Sequence, residues 1–267
     1  ILPLRGVVVY PQTGVPLTVG QPRSITLVDD VVNGDRLIGL VASHDPELET
    51  PGPDEMYQVG TIARITRLFR APDGTIRMLV HGLARFRITE FISEEPYLKA
   101  RIESHPELMD EDALETEALA RNIMAQFERI ADLITSIPEE LVNSVLSLDD
   151  PLQVVYTIAN FQRMDLKDSQ HLLELDSVTE KLHKLTAILT REVEVLELGQ
   201  KIQNEARSEI ESMQREYFLR EQLKAIQREL GEKDDQAAEV EDFREKIEAA
   251  EMPEEARTMA ERELDRL

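Results

Sequence analysis

The chain has 267 residues, 53 acidic against 30 basic side chains and a formal net charge of −23. That length suggests about two domains at ~150 residues each, and a hydrophobic fraction of 42% is that of a folded protein. The absence of cysteine excludes a disulfide scaffold, a zinc–thiolate site and a cysteine nucleophile. No apolar run approaches the ~18 residues of a membrane span, and the acid excess argues against a protein that coats DNA.

The charge is not evenly spread. Residues 1–105 carry 11 basic and 13 acidic side chains, a net of −2, whereas residues 106–267 carry 19 and 40, a net of −21. Nine of the eleven glycines lie at or before Gly82, and no proline occurs between Pro151 and Pro253. Glycine and proline punctuate turns and break helices, so the first part reads as turn-rich β structure and the second as long helix.

In chain order, residues 2–10 alternate loosely and predict a strand. Pro22 suits a first helical turn and Gly34 an end, so residues 22–33 predict a helix with Ile25, Val28, Val31 and Val32 on one face. Residues 37–43 predict a buried strand and 45–54 an exposed loop. Residues 57–70 alternate, with Ile65 and Arg67 expected on one side, Arg64, Thr66 and Leu68 on the other. A turn at Ala71-Pro72-Asp73-Gly74 returns the chain into residues 75–81. Gly82 divides that strand from the next, 83–92, with His81 as a turn residue, and 97–103 completes about six strands. Closure or pairing would protect their edges, giving a small β-barrel-like lobe or paired sheets.

The helical part starts near Asp110, with Leu114, Ala118, Ile123, Phe127, Ile130 and Ile134 at helical spacing. Pro138 opens a second helix, Asp150-Pro151 a third with Asp150 as cap, and Asp168 caps a short fourth. Ser177 with Glu180 matches a capping box. Nothing then stops a helix until Gly231, ~80 Å at 1.5 Å per residue. Val178, Leu182, Leu185, Leu189 and Leu196 stripe its first part. After Gly199, where a bend is expected, the stripe thins to Ile202, Ile210, Met213 and Tyr217 and resumes at Leu219, Leu223, Ile226 and Leu230. The charged middle predicts a solvated, coiled-coil-like arm that needs partners. Residues 231–239 predict a polar break before two short helices around Met252-Pro253. The fold class is therefore α+β, with boundaries at 1–105 for the β lobe, 106–176 for a helical lobe, 177–231 for the arm and 232–267 for short helices. A start at Ile1 and an end inside a helical pattern predict trimming at both ends.

Motifs for catalysis are missing. His44, His81, His105, His171 and His183 form no HxxxH or HExxH pair. Gly231-Glu232-Lys233 lacks the upstream glycine and the Lys-Ser/Thr ending of a phosphate loop, and no GxSxG elbow occurs. Arg64, Arg67, Arg70, Arg77, Arg85 and Arg87 could form a basic strand face, for which ordinary outward polarity is the competing reading. Val15-Pro16-Leu17, after a glycine, and Met56-Tyr57, closing an acidic loop, lie in turn-like settings, and Met78 sits on a strand beside Arg77. Such residues, when exposed, make adaptable surfaces for unfolded peptides, with core filling as the competing reading of each.

Several segments coincide with one family. Ile1-Leu2-Pro3-Leu4-Arg5-Gly6-Val7-Val8-Val9-Tyr10-Pro11, with Val15-Pro16-Leu17-Thr18-Val19-Gly20, resembles the opening of Lon proteases. Val59-Gly60-Thr61-Ile62-Ala63 and the stretch from Asp73-Gly74-Thr75 to Ile88 resemble its β domain. The run from Gln214-Arg215-Glu216-Tyr217-Phe218-Leu219 to Gly231-Glu232 is the strongest match, and Met252-Pro253-Glu254-Glu255-Ala256 is similar to the segment before the family's ATPase module. The resemblance implies a PUA-like β lobe and the amino-terminal region of a hexameric, ATP-dependent serine protease of quality control. It implies ATP and Mg2+ in the parent protein but no cofactor, metal or catalytic residue here, since no stretch matches the ATP loop or the Ser-Lys dyad.

The implied role is capture of exposed hydrophobic segments of misfolded, damaged or regulatory proteins and their transfer to an AAA+ ring. Candidate substrate contacts are Val15, Pro16, Leu17, Met56, Tyr57 and Met78. Candidate inter-subunit contacts on the arm are Met213, Tyr217, Phe218 and Leu219. The alternatives are a purely structural module that positions the ring and a nucleic-acid-binding accessory domain. The expected compartment is a bacterial cytoplasm, or alternatively an organelle matrix, with no membrane partner.

Overall fold

The computed structural model describes residues 1–108, 113–134, 137–162, 164–229, 232–250 and 252–264. It is of the α+β class, with an N-terminal sheet, a very long helix and short C-terminal helices. The chain divides into two compact units, 1–198 and 199–267, and each is described by itself.

The first unit opens with six strands and one helix: β1 (Leu2–Leu4), β2 (Gly14–Val19), α1 (Pro22–Asn33), β3 (Leu37–Ala42), β4 (Val59–Arg70), β5 (Ile76–Ser93) and β6 (Lys99–Ser104). They form one sheet in the order β1-β3-β4-β5-β2, with β6 also paired to β5. Among these six strands β1 and β3 pair in parallel and the other pairs are antiparallel. α1 spans the residues that its proline and glycine predict, and it buries Leu27 and Val28 against Ile38, Leu40, Ile65, Ile76, Met78 and Val80.

Five local expectations change. Val15-Pro16-Leu17 is not a turn but the middle of β2, paired with Val80, Leu79 and Met78. The strand expected over residues 2–10 is only Leu2–Leu4. β5 is one strand of 18 residues rather than two. Gly82 does not end it. A side chain there would sit 2.2 Å from the Tyr10 carbonyl oxygen, so glycine serves the close approach of residues 10–13, which exchange hydrogen bonds with it: Gln12 N–H to Gly82 O at 2.9 Å, Gly82 N–H to Thr13 O at 2.9 Å. His81 accordingly lies on the strand. On β4 the alternation is broken by a bulge, since Ile65 pairs with Val80 but Arg67 with Leu79. The extra residue, Thr66, puts Arg67 on the same side as Arg64 and turns Leu68 toward the core. Arg85 is not outward polarity either; it is buried.

Four described helices and the start of a fifth follow in this unit. α2 (Ala113–Leu133) buries Ala120, Ile123, Phe127 and Ile130, while Leu114 is exposed. α3 (Glu139–Leu146) begins after Pro138. α4 (Pro151–Phe161) is capped by Asp150, whose carboxylate accepts from Leu152 N–H at 3.0 Å. α5 (Leu166–Glu174) has Asp165 at its cap position. Asp168, the residue expected there, sits in the first turn and pairs with Lys184 at 2.7 Å. α6 (Val178–Glu229) starts with Ser177 accepting from Glu180 N–H at 3.1 Å and is helical through Gly199. Val178, Lys181, Leu182, Leu185 and Leu189 are its buried residues, spaced as one face of a helix.

The two kinds of structure share a core. Val8, Tyr10, Ala42 and Val59 of the β part pack in the same cluster as Ile123, Phe127, Tyr156, Ile158, Leu172 and Leu182. The Tyr10 and Tyr156 rings stack at 5.4 Å, and the Tyr10 hydroxyl donates to Ser169 O at 3.0 Å.

In the second unit, residues 199–229 of α6 bury no side chain. Intrahelical pairs support this solvated stretch: Lys201–Glu205, Arg207–Glu211 and Arg220–Glu216 at i,i+4 and Lys224–Glu221 at i,i+3. α7 (Glu232–Ala249) starts where a polar break was expected, so residues 232–239 are helical; Leu230 and Gly231 lie outside the described residues. Leu264 of α8 (Glu254–Leu264) and Ile247 of α7 line one recess of about 200 Å³.

Candidate functional site

A groove of about 480 Å³ lies at the two ends of the sheet order. Leu2, Pro3, Leu4, Arg5 and Val7 line it from β1 and the turn after it, and Pro16, Leu17, Thr18 and Val19 from β2. β1 is hydrogen-bonded to β3 and β2 to β5, so both are edge strands on the groove side. Edge strands carry unpaired N–H and C=O groups, to which extended polypeptide binds, while apolar side chains supply contact area. Pro16 and Val7 are exposed and Leu17 half-buried, so this groove presents aliphatic surface to solvent.

A second recess, about 460 Å³, is lined by His44, Asp54, Met56, Tyr57, Gln58, Val59 and Arg87 of the β part and Glu174 of α5. The Tyr57 ring meets His44 edge-on at 4.4 Å. Burial and the charge of Glu174 raise the Tyr57 hydroxyl pKa, so it stays a neutral donor.

The candidates thus separate. Pro16 and Leu17 line the groove, and Tyr57 is partly open in the recess. Val15, Met56 and Met78 are 9%, 1% and 3% exposed, and Val15 and Met78 belong to the core beneath α1. Alternation along β2 and β5 turns Val15 and Met78 inward, and Met56 lies outside both strands, bridged to Ser43. Met213, Tyr217, Phe218 and Leu219 are all more than half exposed on α6.

Sequence reasoning missed the polar junction between the β part and the helices. Arg85, on β5, reaches under the C-terminal end of α5. Its Nη1 donates to Leu173 O at 2.7 Å and Leu175 O at 2.8 Å, and its Nε pairs with Glu107 at 2.8 Å. Lys181, fully buried on α6, donates to Leu172 O at 2.6 Å and Leu173 O at 3.0 Å. The unsatisfied carbonyls and negative dipole end of α5 account for both cations. Asp176 closes the set, 3.3 Å from Arg85 Nη2 and 2.9 Å from His105 Nε2. Tyr156 donates to Glu107, and its ring lies 5.2 Å from the Lys181 ammonium. Burial lowers the Lys181 pKa to about 7, with Arg85 adding to the effect and Glu107 and Asp176 opposing it. Burial likewise pushes the Tyr10 and Tyr156 hydroxyls far up. A lone arginine in an alternating strand and a lysine at a stripe position of a helix were the available signals. This junction ties β5 to α5 and α6. Among the described residues no group of His, Asp and Glu could hold a metal ion.

With this architecture in view, comparison identifies the family. Residues 1–191 match the model of the ATP-dependent protease La (LON) substrate-binding domain. The chain belongs to that family. Among curated proteins it is similar to Lon protease of Dictyoglomus thermophilum, 45% identical over 267 residues, covering 100% of this chain and 34% of that protein. It is 47% identical to Lon protease 1 of Herpetosiphon aurantiacus over 271 residues, covering 100% of this chain and 33% of that protein. The chain thus spans about a third of the length of the curated relatives it matches. Among solved structures, the N-terminal domain of Mycobacterium avium complex Lon protease shares the fold, with a TM-score of 0.58 and 22% identity over 71% of this chain and 96% of that one.

Proposed function

We propose that this chain is the part of an ATP-dependent serine protease that first holds exposed apolar segments of unfolded proteins and presents them to a downstream ATPase ring. The groove between the β1 and β2 edges carries this reading. It joins strand edges to solvent-facing Pro16 and Val7 and half-buried Leu17. Such a site is loose in side-chain sequence and selective for extended, hence unfolded, chain. ATP and Mg2+ would bind outside these residues, because the sequence holds no phosphate loop. The bacterial relatives make a bacterial cytoplasm the proposed compartment.

The test compares binding of one protein in native and denatured form to the chain and to its Val7→Ser/Pro16→Ser/Leu17→Ser variant. The denatured form alone should bind, and the variant should lose most of that binding. Equal binding of both forms would sink the reading. A second role, linking subunits, is supported by the apolar residues exposed on α6, namely Met213, Tyr217, Phe218 and Leu219. If the groove variant in the full protease degrades unfolded substrate at the normal rate, a purely structural role replaces capture.

A further inference from the structure

The outer face of the sheet is unlike the rest of the molecule. The registers of β2, β5 and β4 place three rows of residues side by side: Thr18, Arg77 and Phe69; Pro16, Leu79 and Arg67; Gly14, His81 and Arg64. Directly paired residues point to one side of a sheet. All nine are solvent-accessible, whereas Ile76, Met78 and Val80, which alternate with them on β5, are buried. The face therefore carries three arginines and a histidine around Phe69, Leu79 and Pro16, and no acid. Phe69 is 62% exposed.

Two observations separate this from ordinary surface polarity. The Thr66 bulge is what brings Arg67 and Phe69 to this side; uninterrupted alternation from Arg64 would turn both inward. Moreover, these arginines are unspent. Arg70 pairs with Asp29, Arg101 with Glu90 and Arg85 with Glu107, but no carboxylate among the described residues bonds Arg64, Arg67 or Arg77. Asp73, in the hairpin turn, interacts with Arg77 through charge without bonding it, and its carboxylate accepts from Thr75 Oγ1 at 2.7 Å and Thr75 N–H at 2.9 Å. In a chain of net charge −23, an unneutralised basic face offers an acidic ligand an attractive landing place that the helices, with 40 acids against 19 bases, do not.

We propose that this face selects, among unfolded segments, extended apolar stretches interspersed with acidic side chains. The proposal rests on the capture reading, and Pro16 and Thr18 make the face continuous with the groove. Charge complementarity names the occupant's acids; Phe69, Leu79 and Pro16 name its apolar positions. A single aromatic ring among aliphatic neighbours suits a peptide better than the successive stacking platforms that single-stranded nucleic acid uses.

The experiment measures binding of the whole chain to three dye-labelled probes: a peptide alternating Leu or Phe with Asp, its Asn counterpart, and oligo-dT of matching charge. The Asp peptide should bind about eightfold tighter than the Asn peptide, three exposed charge pairs each giving about a factor of two. The preference should vanish in Arg64→Gln/Arg67→Gln/Arg77→Gln and at high salt. Equal binding of the Asp and Asn peptides overturns the proposal yet leaves the capture reading standing; binding of neither removes both. A preference that survives the triple variant or high salt overturns it, and so does oligo-dT binding as tight as the Asp peptide. If the triple variant fails to fold, the salt dependence of the Asp–Asn difference in the unaltered chain decides.

Discussion

At the scale of single residues, Arg85 and Lys181 carry the junction. Both are buried and both serve the carbonyl end of α5. Breaking a buried, hydrogen-bonded ion pair from one side leaves its partner charge stranded, at about 3–5 kcal/mol. Arg85→Leu should therefore lower the stability of the first unit by that amount in chemical denaturation, while Arg70→Leu, on the exposed pair with Asp29, should cost less than about 1 kcal/mol. Lys181 adds a pH dependence. Its folded pKa is held down to about 7 by burial, against 10.5 when free. Between those values the unfolded chain binds a proton that the folded chain does not, so stability rises with pH across that window. Below about pH 7 both states are protonated, and the full cost of burying the charge is felt. The groups facing the ammonium are Arg85 from β5, Glu107, Tyr156 from α4 and Asp176. Unfolding free energy measured from pH 7 to 10 should climb more steeply for the natural chain than for Lys181→Met. Parallel curves would refute the assignment.

At the scale of elements, the Thr66 bulge has the widest consequence. Thr66 is the unpaired residue, so deleting it leaves Ile65 and Leu68 inward and Arg67 outward, whereas a bulge-free register that keeps Thr66 would turn Arg67 into the core and Leu68 out of it. Burying that charge and exposing that leucine would each cost a few kcal/mol, which holds the bulge in place, so the deletion should lower the thermal midpoint only modestly. Thr66→Ser keeps the extra residue and should cost little. The Asp150 cap is a milder case; Asp150→Ala should cost about 1 kcal/mol by removing the acceptor for Leu152 N–H. These elements also show what can be read without coordinates. α1 is legible because Pro22 and Gly34 punctuate it, and α4 because Asp150-Pro151 is a cap followed by a first-turn proline. β5 is not, because Gly82 answers to Tyr10, some seventy residues away, and a distant backbone leaves no local trace. The bulge is hidden for a related reason: one skipped pairing leaves no mark in the residue pattern but reverses every later side chain relative to strict alternation. The groove is half legible. Pro16 and Leu17 stand out as apolar residues after a glycine, but only pairing with β5 shows that Val15 between them and the glycine faces inward.

At the scale of the whole molecule, the charge has a division of labour. The sheet-bearing residues are close to neutral and the helical ones strongly acidic. If α6 joins subunits through Met213, Tyr217, Phe218 and Leu219, acidic helices must approach one another, and salt should ease that approach. Sedimentation should find more self-association at raised salt and less in Tyr217→Ser/Phe218→Ser; association that salt weakens would argue against helix pairing. The stacked Tyr10 and Tyr156 have another use. The chain has five tyrosines and no tryptophan, so no indole dominates its near-ultraviolet spectrum. With their hydroxyls held neutral by burial, these two rings cannot form tyrosinate until the seam between sheet and helices parts. Alkaline absorbance thus becomes an optical gauge of that seam, in the unmodified chain and without a label.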